Sequence, residues 1–463
     1  MDLLLVHAYF LAEDPLERTV MKPYPPLGLL YLSSHLKRRG VDVQIFDGTF
    51  QDFPAFSSLL ANSRPLMVGV YCNLMTKRNV LRVVAECRQR GVPVVVGGPE
   101  PPQYAQLYLD HGADVVVVGE GELTLEELFD KRQKDGDAWD LNGVPGIIFR
   151  GQDGQTVRTG PRPLIDNLDR QPPPDRDAID IDQYLQTWRR HHNTGSISLV
   201  TARGCPYTCT WCSRSVFGQS HRRRSPDNVA DEVQHIVDRY RPDQLWYTDD
   251  VFTIHQSWTL KYADEMQRRH LRVPFECISR AERISDDVAD ALASLGCRRL
   301  WIGSESGSQR ILDAMERRVT VEQVQQATKR LQRRGIQVGM FIMLGYDGEE
   351  VSDLRATIEH LKRASPDVFL TTVAYPIKGT KYYDIVEPHI TAPGDWSDRT
   401  DRDLGVRGRH TKRYYQYARR WMVHEVDRDR QWRQRKYVDA ATSAAKVAAA
   451  RLGMAMTARE RES

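Results

Sequence analysis

Three of the seven cysteines, Cys205, Cys209 and Cys212, lie within eight residues of each other. Thiolates are the usual protein ligands of iron–sulfur clusters, and four of them would fill a four-iron cluster. Because no fourth cysteine is near in the sequence, one iron would keep an open coordination position, which is typical of a catalytic metal site. The spacing therefore predicts a cluster that binds its substrate directly. Zinc held by these cysteines and a histidine such as His221 is an alternative, as is chance spacing.

The other four cysteines are scattered through apolar or helical stretches. An odd number of cysteines in a long chain, without signal-peptide features at its N-terminus, does not predict a disulfide framework. A free cysteine is often a small buried hydrophobic residue. We therefore expect a structural role for Cys72, Cys87, Cys277 and Cys297.

The cysteine loop resembles that of the radical S-adenosylmethionine (SAM) superfamily. The loop reads Arg203-Gly204-Cys205-Pro206-Tyr207-Thr208-Cys209-Thr210-Trp211-Cys212. In that superfamily the same C-x-x-x-C-x-x-C spacing follows the first barrel strand, and an aromatic residue, here Trp211, precedes the third cysteine. The resemblance implies a [4Fe-4S] cluster whose open iron chelates SAM, and one electron from the cluster then gives a 5′-deoxyadenosyl radical. It also implies an electron donor such as flavodoxin or ferredoxin.

Turns in the second half of the chain also resemble radical SAM motifs, at residues 247–253, 302–307, 339–345 and 375–380. Relatives usually carry Gly-x-Pro-Gly-Glu after the fifth strand, whereas residues 345–349 of this chain lack the proline. Two-residue alternation along the third and fourth strands points Arg280 and Glu305 into the predicted barrel. We expect Arg280 to meet the carboxylate of SAM, and Glu305, with the adjacent Ser306, to meet its ribose. An ion pair between Arg280 and Glu305 is the alternative.

Turns near the N-terminus resemble the cobalamin-binding domain that one subgroup of radical SAM enzymes carries. The matching segments are residues 25–32, 97–100, 119–122 and 168–176, so the resemblance covers about residues 1–380. It implies a cobalamin site built from Gly97, Gly98, Pro99, Gly119, Glu120 and Gly121, with Glu100 next to it. The motif Asp-x-His-x-x-Gly is absent, so no histidine of that motif is expected below the cobalt. A degenerate domain without a cofactor is the alternative.

The elements that must position these residues alternate between apolar runs and helical patterns. Strands are predicted at residues 3–9, 41–46, 66–71, 92–96 and 114–118, and again at 196–202, 244–248, 274–279, 299–303, 338–344 and 368–374. Continuous Val, Ile and Leu strands between helices indicate parallel sheets covered on both faces, with ligands beyond the carboxyl ends of the strands. We therefore predict an α/β protein: a doubly wound cobalamin-binding-like domain, a partial (β/α)6 barrel of the TIM type and a helical C-terminal tail.

The predicted boundaries are residues 1–145 for the cobalamin-binding-like domain, 146–194 for a linker, 195–380 for the radical SAM barrel and 381–463 for a basic helical region. Residues 140–195 are rich in Pro, Asp and Gly, and residues 143–150 are predicted to form a hairpin strand. Lysine, arginine and aromatic residues are interleaved over 410–437, and residues 440–451 are predicted to be helical. The last residues, 457–463, are expected to fray.

The composition, with 41% hydrophobic and 27% charged residues, is that of a globular protein. No apolar run reaches the roughly 18 residues of a membrane span, and we expect a cytoplasmic protein. The net charge of +3 is too small to imply a nucleic-acid partner.

The sequence therefore predicts a cobalamin-dependent radical SAM enzyme, with a C-methyltransferase of the class B type, acting on an unactivated carbon of a small molecule or natural product, as the leading function. An anaerobic oxidative cyclase of the magnesium-protoporphyrin monomethyl ester type is the alternative, because residues 212–218 resemble those enzymes. An RNA methylthiotransferase would need an RNA-binding module that is not evident, and a cobalamin sensor would not need the cysteine loop. The residues assign no catalytic acid or base and no substrate.

Overall fold

The computed structural model describes residues 1–462. The chain forms two compact units. The first consists of Met1–Pro206, Ser213–Thr248 and Asp395–Thr400, and the second of Tyr207–Cys212, Asp249–Gly394 and the residues from Asp401 onward.

The first unit contains the predicted N-terminal α/β elements and the start of the second strand series. Its strands are β1 Leu3–His7, β2 Val43–Asp47, β3 Met67–Tyr71, β4 Val94–Gly97, β5 Val115–Val117, β6 Ile147–Arg150, β7 Thr156–Arg158, β8 Ser196–Leu199, β9 Ala202–Arg203, β10 Arg222–Arg223 and β11 Gln244–Tyr247. Its helices are α1 Pro15–Val20, α2 Leu27–Arg38, α3 Phe53–Ser63, α4 Lys77–Gln89, α5 Ala105–Asp110, α6 Glu122–Asp135, α7 Ile181–His192 and α8 Pro226–Tyr240.

The N-terminal sheet has the strand order β2-β1-β3-β4-β5-β6-β7. Strands β1 to β5 are parallel, whereas β6 and β7 are added antiparallel. Both faces are buried: Leu4 and Val6 of β1 pack in one apolar cluster, and Leu3 and Leu5 pack in another. This explains the continuous apolar run of β1 and confirms the doubly wound prediction. The strand order reverses between β1 and β3, the point where such sheets bind ligands.

A short antiparallel pair, β9 with β10, closes the two ends of the cysteine loop by pairing Arg203 with Arg222. Gly204 follows β9 with a φ of +86°, and a Cβ atom there would lie 2.5 Å from the backbone oxygen of Ser220. Only glycine fits this backbone conformation and spacing without strain. In the same unit, β8 and β11 pair in parallel.

The second unit contains the rest of the strand series and the C-terminal helices. Its strands are β12 Phe275–Ser279, β13 Cys297–Glu305, β14 Gln337–Leu344, β15 Val368–Val373, β16 Ile390–Thr391 and β17 Gly405–Val406. Its helices are α9 Gln256–Arg268, α10 Asp286–Leu295, α11 Gln309–Ala314, α12 Val321–Gln332, α13 Val351–Ala364, α14 Lys381–Val386, α15 Lys412–Arg433 and α16 Tyr437–Thr457.

Strands β12, β13, β14 and β15 pair in parallel in chain order. Together with β8 and β11 they are the six strands that the second apolar series predicted, each followed by a helix. The α/β fold class is thereby confirmed, and so is the helical C-terminus. The predicted domain boundaries remain predictions, although β6 and β7 extend the N-terminal sheet beyond residue 145.

The basic aromatic segment forms α15, and its aromatic residues are largely part of the protein core. Tyr414, Tyr415 and Trp421 are buried, and Tyr417 lies against Gly453 of α16, where a Cβ atom would come within 2.5 Å of its ring. Trp432, in contrast, is 64% exposed. Because base stacking needs an exposed ring, Tyr414, Tyr415 and Trp421 are not available for it.

The expectation of a frayed C-terminus is wrong for the residues that the structure describes. Helix α16 continues to Thr457, and the Glu462 carboxylate accepts a hydrogen bond from the Val406 backbone at 2.6 Å and pairs with Arg409 at 2.9 Å. These buried polar contacts hold the terminus in place. Ser463, also within the predicted segment, lies outside the described residues. None of the helices in residues 1–462 is long and apolar enough to cross a membrane.

Candidate functional site

A cavity of about 560 Å³ lies at the carboxyl ends of β1, β3, β4 and β5 in the first unit. Its wall is mainly apolar, and it lies beside the point where the strand order reverses. Three of the four segments that resemble a cobalamin-binding domain line it, through residues 25–29, Gly97-Gly98-Pro99 and Gly119-Glu120-Gly121, whereas Glu100 and residues 168–176 are not part of its wall. The structure therefore brings together segments that are more than 90 residues apart in the chain.

The glycines of the cavity wall differ in whether a side chain at that position would clash with the protein. Gly98 has a φ of +116°, and a Cβ atom there would lie 2.3 Å from the backbone oxygen of Cys72, so the fold itself requires glycine. A Cβ atom on Gly97 would meet only Val117, at an ordinary 3.7 Å, and one on Gly28 would meet no atom within 4 Å. Gly97 and Gly28 thus leave space on the wall that the protein does not fill.

Glu120 lines the cavity, but protein donors occupy its carboxylate. Arg203 and Arg222 each donate to it at 2.7 Å, and the backbone of Ile165 donates at 2.8 Å. Burial opposes ionisation, but the hydrogen bonds from the two arginines prevail and lower the pKa of Glu120 below its ordinary value. Arg203 also pairs with Glu122 at 2.6 Å. The predicted turn is therefore tied by ion pairs to the two short strands that flank the cysteine loop.

Sequence reasoning missed part of the cavity wall. Ser198, Val200 and Arg203 contribute from the strand region that leads to Cys205, and His7 and Tyr71 contribute from the ends of β1 and β3. The rule that ligands lie at the carboxyl ends of strands could have identified His7 and Tyr71. Ser198 needed the structure, because no sequence pattern distinguishes it from other strand residues.

The hydroxyl of Ser198 supports a ligand in this cavity. The residue is 1% exposed, and its Oγ has no hydrogen-bond partner among residues 1–462. A buried hydroxyl without a partner costs free energy, so such groups usually meet a water or a ligand. With the open space at Gly97 and Gly28, the wall fits a large, mostly apolar molecule that has some polar groups.

The three predicted cluster ligands differ in exposure. Cys209 is buried, Cys205 is half-buried and Cys212 is exposed. The backbone N–H of Cys212 donates to the backbone oxygen of Cys209 at 3.3 Å, which forms a turn between the last two thiols. Over residues 1–462, no three His, Cys, Asp or Glu side chains form a group that could hold a metal ion. The ligand set therefore remains a prediction from the sequence.

The middle of the cysteine loop is anchored to the second unit, to which it belongs. Thr210 donates from its backbone to Met315, accepts from the backbone of Tyr382 at 2.9 Å, and shares a hydrogen bond with the Tyr346 hydroxyl at 2.7 Å. Trp211 packs against the apolar cluster that contains Met315 and Tyr346. The aromatic position before the third cysteine thus anchors the loop.

Arg280 contacts one of the candidate ligands directly. Its Nη1 donates to Cys209 Sγ at 3.4 Å, and its guanidinium lies 3.7 Å from the centre of the Tyr207 ring. Burial raises the pKa of the Cys209 thiol, while Arg280 acts in the opposite direction. The ion-pair partner of Arg280 is Glu282, not Glu305. The buried cation therefore favours the thiolate form that a metal requires.

Glu305 ends β13 at a bulge, where the pairing with β14 shifts between Gly303 and Glu305. Its φ is +61°, which a residue other than glycine adopts only where the surrounding structure imposes it. The carboxylate nevertheless lies over Gly303, because a Cβ atom on Gly303 would come within 2.7 Å of Glu305 Oε1. This is the face that the alternation predicted, although the bulge was not.

Ser306 shapes the loop after β13. It is 1% exposed, its hydroxyl lies 3.2 Å from that of Thr357, and it accepts a hydrogen bond from the Ser308 backbone at 3.1 Å. The side chain is therefore engaged by the protein.

Stability should depend on pH through Glu305. Burial raises its pKa from 4.5 to about 8, and Arg280 opposes this only in part. Between these values the folded protein holds a proton that the unfolded chain has lost. The free energy of unfolding of the metal-free protein should thus fall as pH rises through this window, by at most about 1.4 kcal/mol per pH unit. Urea denaturation across this range should show a flatter profile for Glu305→Gln, which cannot titrate. The exposed Glu387→Gln serves as the control, and equal slopes for all three proteins would contradict the prediction.

Comparison with protein families identifies two domains. The B12 binding domain matches residues 16–129, and the Radical SAM superfamily matches residues 199–361. The first match contains the predicted turns at 97–100 and 119–122. The second contains the cysteine loop, Arg280 and Glu305.

Two relatives match most of this chain. An uncharacterized methyltransferase of Pyrococcus horikoshii is 29% identical over 407 residues, which cover 86% of each chain. An anaerobic magnesium-protoporphyrin IX monomethyl ester cyclase of Rubrivivax gelatinosus is 27% identical over 360 residues, which cover 74% of this chain and 63% of the relative.

The fold is also similar to that of a solved structure, the radical S-adenosylmethionine methyltransferase TsrM from Kitasatospora setae with cobalamin and a [4Fe-4S] cluster bound. The TM-score is 0.70 at 22% identity, and the match covers 85% of this chain and 77% of that one. At this identity the similarity concerns the fold. The two family matches show that the chain carries a B12 binding domain followed by a radical SAM domain, which imply cobalamin, a [4Fe-4S] cluster and SAM as cofactors.

Proposed function

We propose that the enzyme is a methyltransferase that transfers a methyl group to an unactivated carbon of a small molecule. The observation that carries this proposal is the shared wall of the cavity. The N-terminal turns line it together with Ser198, Val200 and Arg203, which precede Cys205 in the chain. A cofactor in this cavity would lie against the strand that leads to the cluster loop. Mass spectrometry of products made from methyl-labelled SAM tests the proposal.

Cys205, Cys209 and Cys212 are the proposed ligands of the cluster. When bound, the cluster and SAM supply the radical that removes a substrate hydrogen, and cobalamin supplies the methyl group. The role of the protein is to bind the cluster, SAM and cobalamin and to shield them from solvent. Arg280 keeps a positive charge at Cys209, which suits an anionic cluster, and Trp211 anchors the loop. We propose that an external electron donor of the flavodoxin or ferredoxin type reduces the cluster.

Arg280, Glu305 and Ser306 are the proposed SAM-binding residues. Arg280 is buried and donates to Cys209, so its charge would face both the cluster and the carboxylate of SAM. Glu305 is 9% exposed and has no ion-pair partner among the described residues. Its carboxyl group is therefore available to form hydrogen bonds with the ribose hydroxyls of SAM. The hydroxyl of Ser306 is hydrogen-bonded to the protein, so we propose that Ser306 supports the SAM site by shaping the loop after β13.

Cobalamin is proposed to bind along Gly97, Gly98, Pro99, Gly119, Glu120 and Gly121. Glycines allow the backbone to approach a flat macrocycle. Glu120 would act through its ion pairs, which hold its turn against Arg203 and Arg222. Breaking a buried pair leaves an uncompensated charge that costs about 3–5 kcal/mol, so this turn is held firmly.

An oxidative cyclase is the second candidate. It is favoured by the resemblance of residues 212–218 to the cyclases and by the position of Val216 and Phe217 on the same cavity wall. An RNA methylthiotransferase is disfavoured, because Tyr414, Tyr415 and Trp421 are buried.

Replacing Gly97 with leucine should block cobalamin binding without unfolding the protein. The new Cβ atom meets only Val117, at 3.7 Å, while the rest of the side chain occupies the ligand's space. Overpacking costs about 1–3 kcal/mol, so the affinity for cobalamin should fall by about 5- to 150-fold. Visible absorbance after gel filtration measures the cobalamin retained. Gly98 is unsuitable for this test, because a side chain there strikes the Cys72 backbone and would disturb the fold.

Gly160→Leu is the matched control. Gly160 is exposed, lies off the cavity wall and has no atom within 4 Å of its ideal Cβ position. This variant should retain about one equivalent of cobalamin, like the wild type. If Gly97→Leu retains as much cobalamin as the wild type, cobalamin does not bind in this cavity and that part of the proposal is wrong.

A further inference from the structure

His7 places an imidazole on the wall of the cobalamin cavity. It is the last residue of β1, is 7% exposed, and lies where the strand order of the sheet reverses. Of the histidines in residues 1–462, it alone lines this cavity. Imidazole nitrogen is among the commonest metal ligands in proteins. The residue does not belong to an Asp-x-His-x-x-Gly motif, which this chain lacks.

One nitrogen of the ring is fixed by a partly buried carboxylate. His7 Nδ1 lies 3.1 Å from Asp47 Oδ1 and 3.3 Å from the Thr49 hydroxyl. The Tyr184 hydroxyl lies 2.7 Å from the other oxygen of Asp47. Burial opposes ionisation of Asp47, but the hydrogen bonds from His7, Tyr184 and Thr49 prevail and lower its pKa. The ionised Asp47 accepts a hydrogen bond, so Nδ1 carries the proton.

The other nitrogen remains available. With the proton on Nδ1, the lone pair of the neutral ring is on Nε2, for which residues 1–462 provide no hydrogen-bond partner. A histidine that binds a metal through one nitrogen nearly always donates from the other to a carboxylate or a carbonyl group, which orients the ring and increases its basicity. Asp47 and His7 have this arrangement before any metal is bound.

Other potential ligands near the cavity are engaged elsewhere. Glu100, which follows the Gly97-Gly98-Pro99 turn, is buried off the wall and accepts a hydrogen bond from Tyr108. The thiol of Cys72 lies 3.0 Å from the same hydroxyl, and burial raises its pKa well above the ordinary value. Glu120 and Glu122 are held by arginines. Among these side chains, His7 is the one that lines the cavity and has a nitrogen lone pair available to coordinate a metal.

We propose that His7, through Nε2, is an axial ligand to the cobalt of bound cobalamin, and that Asp47 is the residue that positions it. The inference rests on the proposed binding of cobalamin in this cavity. A protein ligand at this position would replace the cofactor's own benzimidazole base, so the base would have to bind elsewhere in the cavity. The apolar wall formed by Leu5, Gly69 and Val95 is suited to a flat aromatic group.

Electron paramagnetic resonance with isotope-labelled histidine tests this inference. The full chain is produced with histidine containing nitrogen-15, loaded with unlabelled hydroxocobalamin and reduced to the cobalt(II) state. An axial nitrogen-14 ligand splits the cobalt lines into triplets, whereas nitrogen-15 splits them into doublets. We expect doublets from the labelled protein and triplets from the unlabelled one. Triplets in both would identify the cofactor's own base as the ligand and would overturn the inference, as would the absence of any nitrogen splitting.

His7→Ala should lose the nitrogen splitting and still retain cobalamin, since the other cavity contacts remain. The exposed His235→Ala, on α8, should keep the doublets. Doublets that persist in His7→Ala would overturn the inference. If His7→Ala does not fold, the labelled wild type still decides the question. Failure of the wild type to retain any cobalamin would instead overturn the proposed binding site itself, and the inference with it.

Discussion

The variant with Cys205, Cys209 and Cys212 all replaced by alanine should bind no iron, whereas the wild type, reconstituted without oxygen, should bind about four irons and four sulfides. Thiolates are the only cluster ligands that the sequence groups at this spacing, so their removal leaves the cluster without protein ligands. SAM cleavage should fall to background as a result. Iron and sulfide assays, with the visible absorbance of the cluster, measure the outcome.

The other cysteines provide the matched control. Cys277 and Cys297 are buried on the neighbouring strands β12 and β13, and Cys277 is fully inaccessible. Replacing both with alanine should leave the iron content unchanged, although the loss of buried sulfur atoms will lower stability. Circular dichroism establishes that each variant is folded. A folded triple variant that keeps the full iron content would place the cluster elsewhere, and wild-type protein that binds zinc without sulfide would favour the zinc alternative.

The strands were predictable because burial on both faces leaves a direct trace in the sequence. Leu3 and Leu5 enter one apolar cluster and Leu4 and Val6 the other, so the four consecutive positions from Leu3 to Val6 must all be apolar. At Glu305 the alternation predicted the face of the side chain, but not the bulge and the positive φ that the structure has there. A bulge depends on the pairing with β14, which the sequence of β13 alone does not specify.

The candidate site was predictable where its residues lie in turns. Gly97 ends β4 and Gly119 follows β5 of one parallel sheet, and the carboxyl ends of such strands meet at one edge. Their convergence in one cavity follows from the topology. The contribution of His7 was not evident, because its role depends on Asp47 and Tyr184, which lie 40 and 137 residues from their partners. Such pairings are fixed by tertiary structure.

The sequence assigned no role to the aromatic residues of α15. Tyr414, Tyr415 and Trp421 are interleaved with arginines in a pattern that allowed phosphate and base binding. In the structure they are buried, while the charged residues between them face solvent. A helix that buries its aromatic rings and exposes its arginines has the same sequence pattern as a surface that binds phosphates and bases. Burial alone separates the two interpretations.

Methyl-labelled SAM should give a labelled product, with S-adenosylhomocysteine and 5′-deoxyadenosine formed together at about one each per product. In the proposed reaction, SAM has two uses: one molecule provides the radical and another the methyl group. An oxidative cyclase needs no methyl donor, so it would form 5′-deoxyadenosine without S-adenosylhomocysteine. Liquid chromatography with mass spectrometry measures all three compounds. Because SAM can be cleaved without turnover, the ratio is measured with and without substrate, and the substrate-dependent part is used.

Proximity favours methyl transfer over cyclisation. Reacting groups must be held within near-contact distance, and such positioning can supply about 7–11 kcal/mol of the barrier. In the first unit, one cavity is lined by the proposed cobalamin-binding turns and by Arg203, two residues before Cys205. This arrangement brings a methyl-carrying cofactor to the strand that begins the cluster loop, whereas a cyclase would need the same cobalt only for electron transfer or the addition of water. Gly97→Leu should therefore abolish the labelled product but keep the iron content. A labelled product from protein free of cobalamin, or an unlabelled, oxidised product from the wild type, would contradict the assignment, and the second result would favour the cyclase.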